Sequence, residues 1–151
     1  MNELNNLLES NSETIINNAV QGLSRSALKH YNVYSEEENR SRMSRLFNTT
    51  LECIQNRNLI PINLYSQKLA SERFKEGFFL QEVQTAFNVL EEVLWQLVTE
   101  KLEPEKYPDA FGLISSVMGA GKEALAVEYV SLVTDSPRKP SADIDRLFLG
   151  T

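Results

Sequence analysis

The chain has 151 residues, of which 42% are hydrophobic and 24% are charged, so its composition is typical of a single globular domain. Fifteen basic and twenty-one acidic side chains give a net charge of −6, which opposes non-specific binding to nucleic acid or to anionic lipid. One cysteine (Cys53) and one histidine (His30) are too few for a disulfide, a cysteine-based zinc site or most acid–base constellations. We therefore expect a protein that is not an enzyme and has no catalytic, cofactor-binding or metal-binding residues.

Targeting signals are not evident in the sequence. No run approaches the roughly 20 apolar residues that cross a bilayer. The N-terminal residues 1–5 lack the basic-then-apolar order of a signal peptide. We expect a cytoplasmic protein without a membrane or nucleic-acid partner.

Glycine and proline separate long segments whose apolar spacing is helical, and no segment alternates in the manner of a strand. A short first helix is predicted over residues 2–9. A capping box formed by Ser10 and Glu13 then predicts a second helix that ends near His30. The expected buried face of this second helix is Ile15, Ile16, Ala19, Leu23 and Ala27.

Clear start and stop signals mark the next two helices. A second capping box, Ser35 with Glu38, predicts a helix that ends near residues 56–58. Pro61 is a favoured first-turn residue and predicts the start of another helix, which Gly77 ends at a tight corner. The expected core positions of the helix after Ser35 are Met43, Leu46, Phe47, Thr50 and Ile54.

The segment after Gly77 has the most regular pattern in the chain. Its apolar residues follow a 3-4 spacing over nearly three heptads, which predicts a long helix packed at a shallow angle against its neighbours. Pro104 and Pro108 end this segment. The residues of the stripe are Leu80, Val83, Phe87, Leu90, Leu94 and Leu97.

A last long helix is predicted over residues 109–134. Its middle, Gly119-Ala120-Gly121, is small enough to let another backbone approach closely. The remaining residues 136–151 are expected to form a polar tail or linker after an all-α domain over 1–135. The expected packing face of the last helix is Leu113, Val117, Ala120, Ala124 and Val127.

Residues 118–123 have the glycine–lysine appearance of a phosphate loop. That loop requires a further glycine where Ser116 stands, a Ser or Thr where Glu123 stands, and a preceding strand. We interpret the glycines as a helix contact instead. Cys53, within a helical segment, is interpreted as a small buried hydrophobe, and the lone His30 as neither a ligand nor a base.

Two charged clusters have alternative interpretations. Arg40, Arg42 and Arg45 could attract a nucleic acid or a phosphorylated partner, but Glu38 precedes Arg42 by four residues and favours an ordinary helix ion pair on a solvated face. The second cluster consists of glutamates, which could bind a pair of iron ions. Because it lacks the Glu-x-x-His pairs of a di-iron bundle, we expect it to face water. Its members are Glu82, Glu91, Glu92 and Glu100.

Aromatic residues are concentrated around the Gly77 corner. They favour a plain core, while an apolar ligand pocket remains an alternative. They are Phe74, Phe78, Phe79, Phe87 and Trp95.

Residues 69–83, LASERFKEGFFLQEV, and the helix that follows them to Val98 resemble the N-terminal sensor domain of RsbR-type (RsbRD-like) stressosome proteins. The same domain type precedes some sensor histidine kinases. The matching features are a helix that ends in Arg, a Gly corner, a Leu-x-Glu-Val start, and a long helix followed by one with small residues. The resemblance covers about residues 4–134.

This resemblance implies a globin-like all-α bundle of about five main helices without haem. It also implies a homodimer that senses or relays a signal in a bacterial stress response rather than catalysing a reaction. In that family an output module usually follows the domain, whereas only residues 136–151 follow here. The output is then a signalling partner bound in trans, or the chain is part of a longer protein. A second interpretation, favoured by the aromatic cluster and His30, is a globin-like protein that binds haem or another apolar small molecule.

Overall fold

A computed structural model describes residues 2–26 and 34–135, and every regular element in these two ranges is helical. The predicted all-α fold is therefore confirmed for the described residues, while the globin-like arrangement stays a prediction. His30, Ala27 and the predicted tail over 136–151 lie outside these residues. The elements are α1 (Asn2–Ser10), α2 (Ser12–Arg25), α3 (Glu36–Asn56), α4 (Ile60–Lys75), α5 (Leu80–Lys101) and α6 (Tyr107–Asp135), with a 3₁₀ turn (Pro104–Lys106) before α6.

Three of the predicted helix ends are confirmed. The backbone N–H of Glu38 donates to Ser35 Oγ and the backbone N–H of Ser35 donates to Glu38 Oε1, each at 3.1 Å, which completes the capping box of α3. Pro61 lies in the first turn of α4, where its missing N–H leaves no hydrogen bond unmade. Gly77 has a φ of 89°, the left-handed conformation that a side chain would strain.

The predicted capping box at Ser10 is wrong. Ser10 is the last residue of α1, and the N-cap of α2 is Asn11, whose side-chain amide donates to the Leu7 carbonyl at 2.8 Å. Helix α2 also ends at Arg25, before the predicted end near His30. The hydroxyl of Ser26 donates to the Leu23 carbonyl at 2.6 Å, because a serine can compete for the last free acceptors of a helix.

All six helices of the described ranges contribute buried apolar residues to one core, α1 through Leu4 and Leu8. The predicted stripe of α5 is confirmed, since Leu90 and Leu94 are fully buried and only Leu80 is partly exposed. The predicted positions of α3 are all buried, and so are Ile15, Ala19 and Leu23 of α2. Periodicity located these faces because each of these helices has a polar side that contrasts with its apolar side.

The predicted packing face of α6 is only partly right. Val117 is buried and Leu113 and Ala120 are partly buried against the core, but Val127 is exposed and the fully buried side is rotated from the predicted stripe. Helix α6 has apolar residues around most of its circumference, so its sequence did not distinguish the buried side from the surface side. The buried residues are Ala110, Ile114, Val117, Met118, Gly121, Leu125 and Tyr129.

Gly121 lies where α6 packs tightly against side chains of α4 and α5. A Cβ at this position would lie 2.5 Å from Phe87 Cε2 and 3.0 Å from Ile62 Cγ1. Gly119, two residues earlier, has nothing within 4 Å of its corresponding Cβ position. The predicted helix contact of the small residues is therefore confirmed inside one chain, and it depends on Gly121.

Side chains of α5 and α6 form hydrogen bonds with the backbone just after the corner at Gly77. The Tyr129 hydroxyl donates to the Phe78 carbonyl at 3.1 Å, and burial raises the pKa of Tyr129 to about 12. Glu82 was expected to face water, but it is only 5% exposed. Its Oε1 accepts from the backbone N–H of Phe79 at 2.8 Å, which satisfies a donor at the start of α5.

We expect Leu90→Ala and Leu94→Ala each to lower the free energy of unfolding by about 2–5 kcal/mol, because both side chains are enclosed and the resulting cavities collapse poorly. Urea unfolding followed by circular dichroism measures the change. Glu92→Ala, at an exposed position of the same helix, is the control and should stay within about 0.5 kcal/mol. A neutral result for either leucine would contradict the packing described for α5.

We expect Gly121→Ala and Gly119→Ala to change stability in opposite directions. The methyl group added by Gly121→Ala must displace Phe87 and Ile62, so this variant should lower the free energy of unfolding by about 1–3 kcal/mol. Gly119→Ala meets no neighbour and should gain up to about 1 kcal/mol from helix propensity. Thermal and urea unfolding compare the pair, and equal effects would show that α6 does not approach at Gly121.

Candidate functional site

An apolar surface lies on the outer side of α4 and α6. Ile60 and Leu64, one turn apart on α4, are 60% and 61% exposed, and Val127 and Val130 of α6 are 65% and 49% exposed. A single exposed aliphatic residue is ordinary, but grouped ones mark interaction sites. We use the name α4–α6 surface for two sets of residues taken together. The first set lines a groove between the helices and includes Leu59, Ala120, Ala124 and Val127, and the second set is the exposed Ile60, Leu64 and Val130 of the same helices.

A groove of about 400 Å³ follows the boundary between the two helices on this surface. Its α4 side presents Asn63 and Gln67, and its α6 side presents Ala120 and Ala124, whose small side chains allow another chain to approach the helix closely. Glu123 and Glu128 also line the groove. The predicted stripe of α6 therefore coincides in part with this groove rather than with the core.

The segment Pro104–Asp135, which includes α6, has the length and mean hydropathy (1.2) of a membrane-spanning helix. Within its apolar window, 33% of the residues are buried in the bundle. Ile114, Met118 and Leu125 are enclosed by the other helices. This pattern fits a core helix whose outer side is also apolar.

Of the three α3 arginines expected on a solvated face, Arg45 is exposed, whereas Arg40 and Arg42 are partly buried. The Arg42 guanidinium lies over the Tyr34 ring, 3.6 Å from its centroid, and its Nη2 is 4.0 Å from Glu76 Oε2. Arg42 thus pairs with Glu76 rather than with Glu38, which caps α3. Arg40 points elsewhere and contacts Asn17.

Glu76, at the end of α4, joins the groups around Arg42. Its Oε1 accepts from Arg73 Nη1 at 2.8 Å, and its Oε2 accepts from the Tyr34 hydroxyl at 3.3 Å. Arg73 is only 6% exposed, and Tyr34 stacks on Phe78 with the ring centroids 5.9 Å apart. The sequence analysis missed this network, although the i,i+3 spacing of Arg73 and Glu76 was a signal for part of it.

The aromatic residues near Gly77 divide between core and surface. Phe78 and Phe87 are buried, as the core interpretation predicts, but Phe79 and Trp95 are exposed. An interior space beside Phe87 and Met43 measures about 20 Å³. That volume holds about one water molecule, so this part of the described core has no room for a haem.

The remaining predicted site residues add no reactive group. Cys53 is buried, as predicted, and burial raises its pKa, which keeps the thiol protonated at neutral pH. Glu92 and Glu100 face water, whereas Glu91 lies 3.4 Å from Lys122 Nζ. Within residues 2–26 and 34–135, no three His, Cys, Asp or Glu side chains are grouped so as to hold a metal ion.

Comparisons with family models, with curated proteins and with solved structures found no significant match to this chain. The resemblance to RsbR-type sensor domains therefore rests on residues 69–83 and the helix after them, and it stays a prediction.

We expect Glu76→Gln to lower the free energy of unfolding by about 1.5–3 kcal/mol, because it removes the charged acceptor of the buried Arg73. Glu72→Gln is the matched control. Glu72 lies on the same helix, 3.8 Å from Arg73 Nη1 and half exposed, so its loss should change stability by less than about 1 kcal/mol. Urea unfolding of both variants measures the difference, and equal effects would contradict the role given to Glu76.

Proposed function

We propose that this protein is a non-enzymatic signalling domain that acts by homodimerisation and by contact with a signalling partner. The observation that carries the proposal is the α4–α6 surface, on which four aliphatic side chains are each about half or more exposed. Leaving such a surface in water is unfavourable, and covering it releases free energy in proportion to the apolar area buried. The domain therefore has a driving force for association.

A second copy of the chain fits this surface. Two-fold dimers bury the same patch of each subunit, so the patch must be complementary to itself. Aliphatic side chains meet this condition, and Asn63 and Gln67 also meet it because each side-chain amide both donates and accepts. Glu123 and Glu128 would repel their symmetry mates, so we expect salt to strengthen the dimer.

The signalling role is supported by the resemblance to RsbR-type sensor domains. The residues that carry it include Arg73, Glu76, Gly77 and Phe78, which belong to the connected network at the end of α4. The proposal places the protein in the cytoplasm, with its output delivered to a partner bound in trans or to a further part of a longer chain.

We expect light scattering at micromolar concentration to give about twice the chain mass of 17.2 kDa. Leu64→Lys and Val127→Lys should each shift the protein toward monomer, because a charged side chain would be buried in the interface. Both positions are more than half exposed in the single chain, so neither change should disturb its fold.

Phe79→Lys is the matched control for these variants. It places the same charge at an equally exposed large apolar residue outside the α4–α6 surface and should leave the dimer intact. A monomeric wild-type protein at high concentration, in low and in high salt, would contradict homodimerisation. A dimer that survives both lysine variants would place the interface elsewhere.

A further inference from the structure

A cleft of about 120 Å³ lies between α3 and α4, on residues outside the α4–α6 surface. It carries four cationic side chains and one carboxylate. Glu76, bonded to Arg73 from outside the cleft, supplies a second carboxylate, so the cluster has two positive charges in excess. The cleft residues are Arg42, Arg45, Tyr65, Lys68, Leu69, Glu72 and Arg73.

One donor of this cluster has no acceptor. Arg42 Nη1 is fully buried and has no hydrogen-bond partner in the described part of the protein. A buried charged group that leaves a donor unsatisfied is strongly unfavourable, and native structures rarely retain one without a reason. Both arginines of the inner wall are well enclosed, since their side chains are 21% (Arg42) and 7% (Arg73) exposed.

The space of about 20 Å³ beside Phe87 meets the cleft at Arg42, Tyr65, Leu69 and Arg73. Arg42 Nη1 has no accessible surface, so a ligand in the cleft can reach it only after the guanidinium turns toward the cleft. An anion contacted in this way would satisfy the donor and compensate the excess positive charge, whereas a water molecule would only satisfy the donor.

We propose that this cleft binds the phosphate group of a small molecule. Guanidinium groups suit tetrahedral oxyanions because their planar array of N–H donors can contact two oxygens at once. Arg42 and Arg73 form the inner wall, while Arg45 and Lys68 are exposed and can close over the anion from the rim. Burial raises the pKa of Tyr65 despite the neighbouring arginines, so its hydroxyl stays protonated and can donate.

The dimensions favour a small ligand over a macromolecule. A volume of 120 Å³ corresponds to about four water molecules at the density of the liquid, which is room for one phosphate group. The net charge of −6 opposes a polyanion such as nucleic acid. A phosphopeptide is the competing ligand, and the experiment includes it.

The test is isothermal titration with inorganic phosphate at constant ionic strength, with chloride as the balancing anion. We expect saturable binding of one phosphate per chain. Arg45→Gln and Lys68→Gln should each weaken binding roughly tenfold through the loss of one charged contact, and Arg42→Gln should abolish it. The first two positions are exposed, so these variants keep the test valid even if Arg42→Gln fails to fold.

Arg40→Gln and Lys75→Gln are the matched controls, since each removes one positive charge from α3 or α4 outside the cleft. Both should bind phosphate as the wild type does. The titration repeated on Val127→Lys separates phosphate binding from dimerisation, because Val127 belongs to α6 and does not line the cleft.

Further titrations identify the source of the phosphate. Glycerol 3-phosphate that binds at least as well as inorganic phosphate would indicate a soluble monoester, and preferential binding of phosphatidic acid vesicles would indicate a lipid headgroup. Either result supports the proposed phosphate site if Lys68→Gln weakens binding of the same ligand. Absence of phosphate binding, equal loss in the control variants, or binding of a phosphoserine peptide alone would overturn the proposal.

Discussion

The close approach of α6 to α4 and α5 at Gly121 is the constraint on which the rest of the bundle depends. Phe87 and Ile62 occupy the space where a side chain at position 121 would lie, so α6 can pack against α4 and α5 in this way only if residue 121 is a glycine. This contact fixes which side of α6 is buried. Val127 is then left exposed in the groove that Leu59 and Asn63 also line.

Helix α4 takes part in both candidate sites with different residues. Asn63 lines the groove beside α6, whereas Lys68 and Arg73 line the cleft beside α3. The beginning of α3 lies against the end of α4, which brings Arg42 beside Arg73 and Glu76. This contact between the two helices produces an excess of positive charge that neither helix has on its own.

The candidate sites were only partly predictable. The sequence analysis singled out Arg42 and Arg45 but assigned them to a solvated face, because the spacing of Glu38 and Arg42 satisfies a helix ion pair. Arg42 and Arg45 line the cleft with residues of α4 that lie about 30 positions further along the chain, so no pattern within a few residues predicts this arrangement. The α4–α6 surface was anticipated only through Ala120, Ala124 and Val127, which were read as a packing face.

The sequence by itself determined the helices and the buried side of those with a clear polar face. The capping box at Ser35, the proline at 61 and the glycine at 77 act through bonds and dihedral angles within a few residues, so local chemistry fixes them. Only the tertiary structure decided the orientation of α6 and the burial of Glu82. Both features depend on which distant parts of the chain come into contact. Because α6 is apolar on nearly every side, its contacts with the neighbouring helices, and not its own periodicity, determine which face is buried.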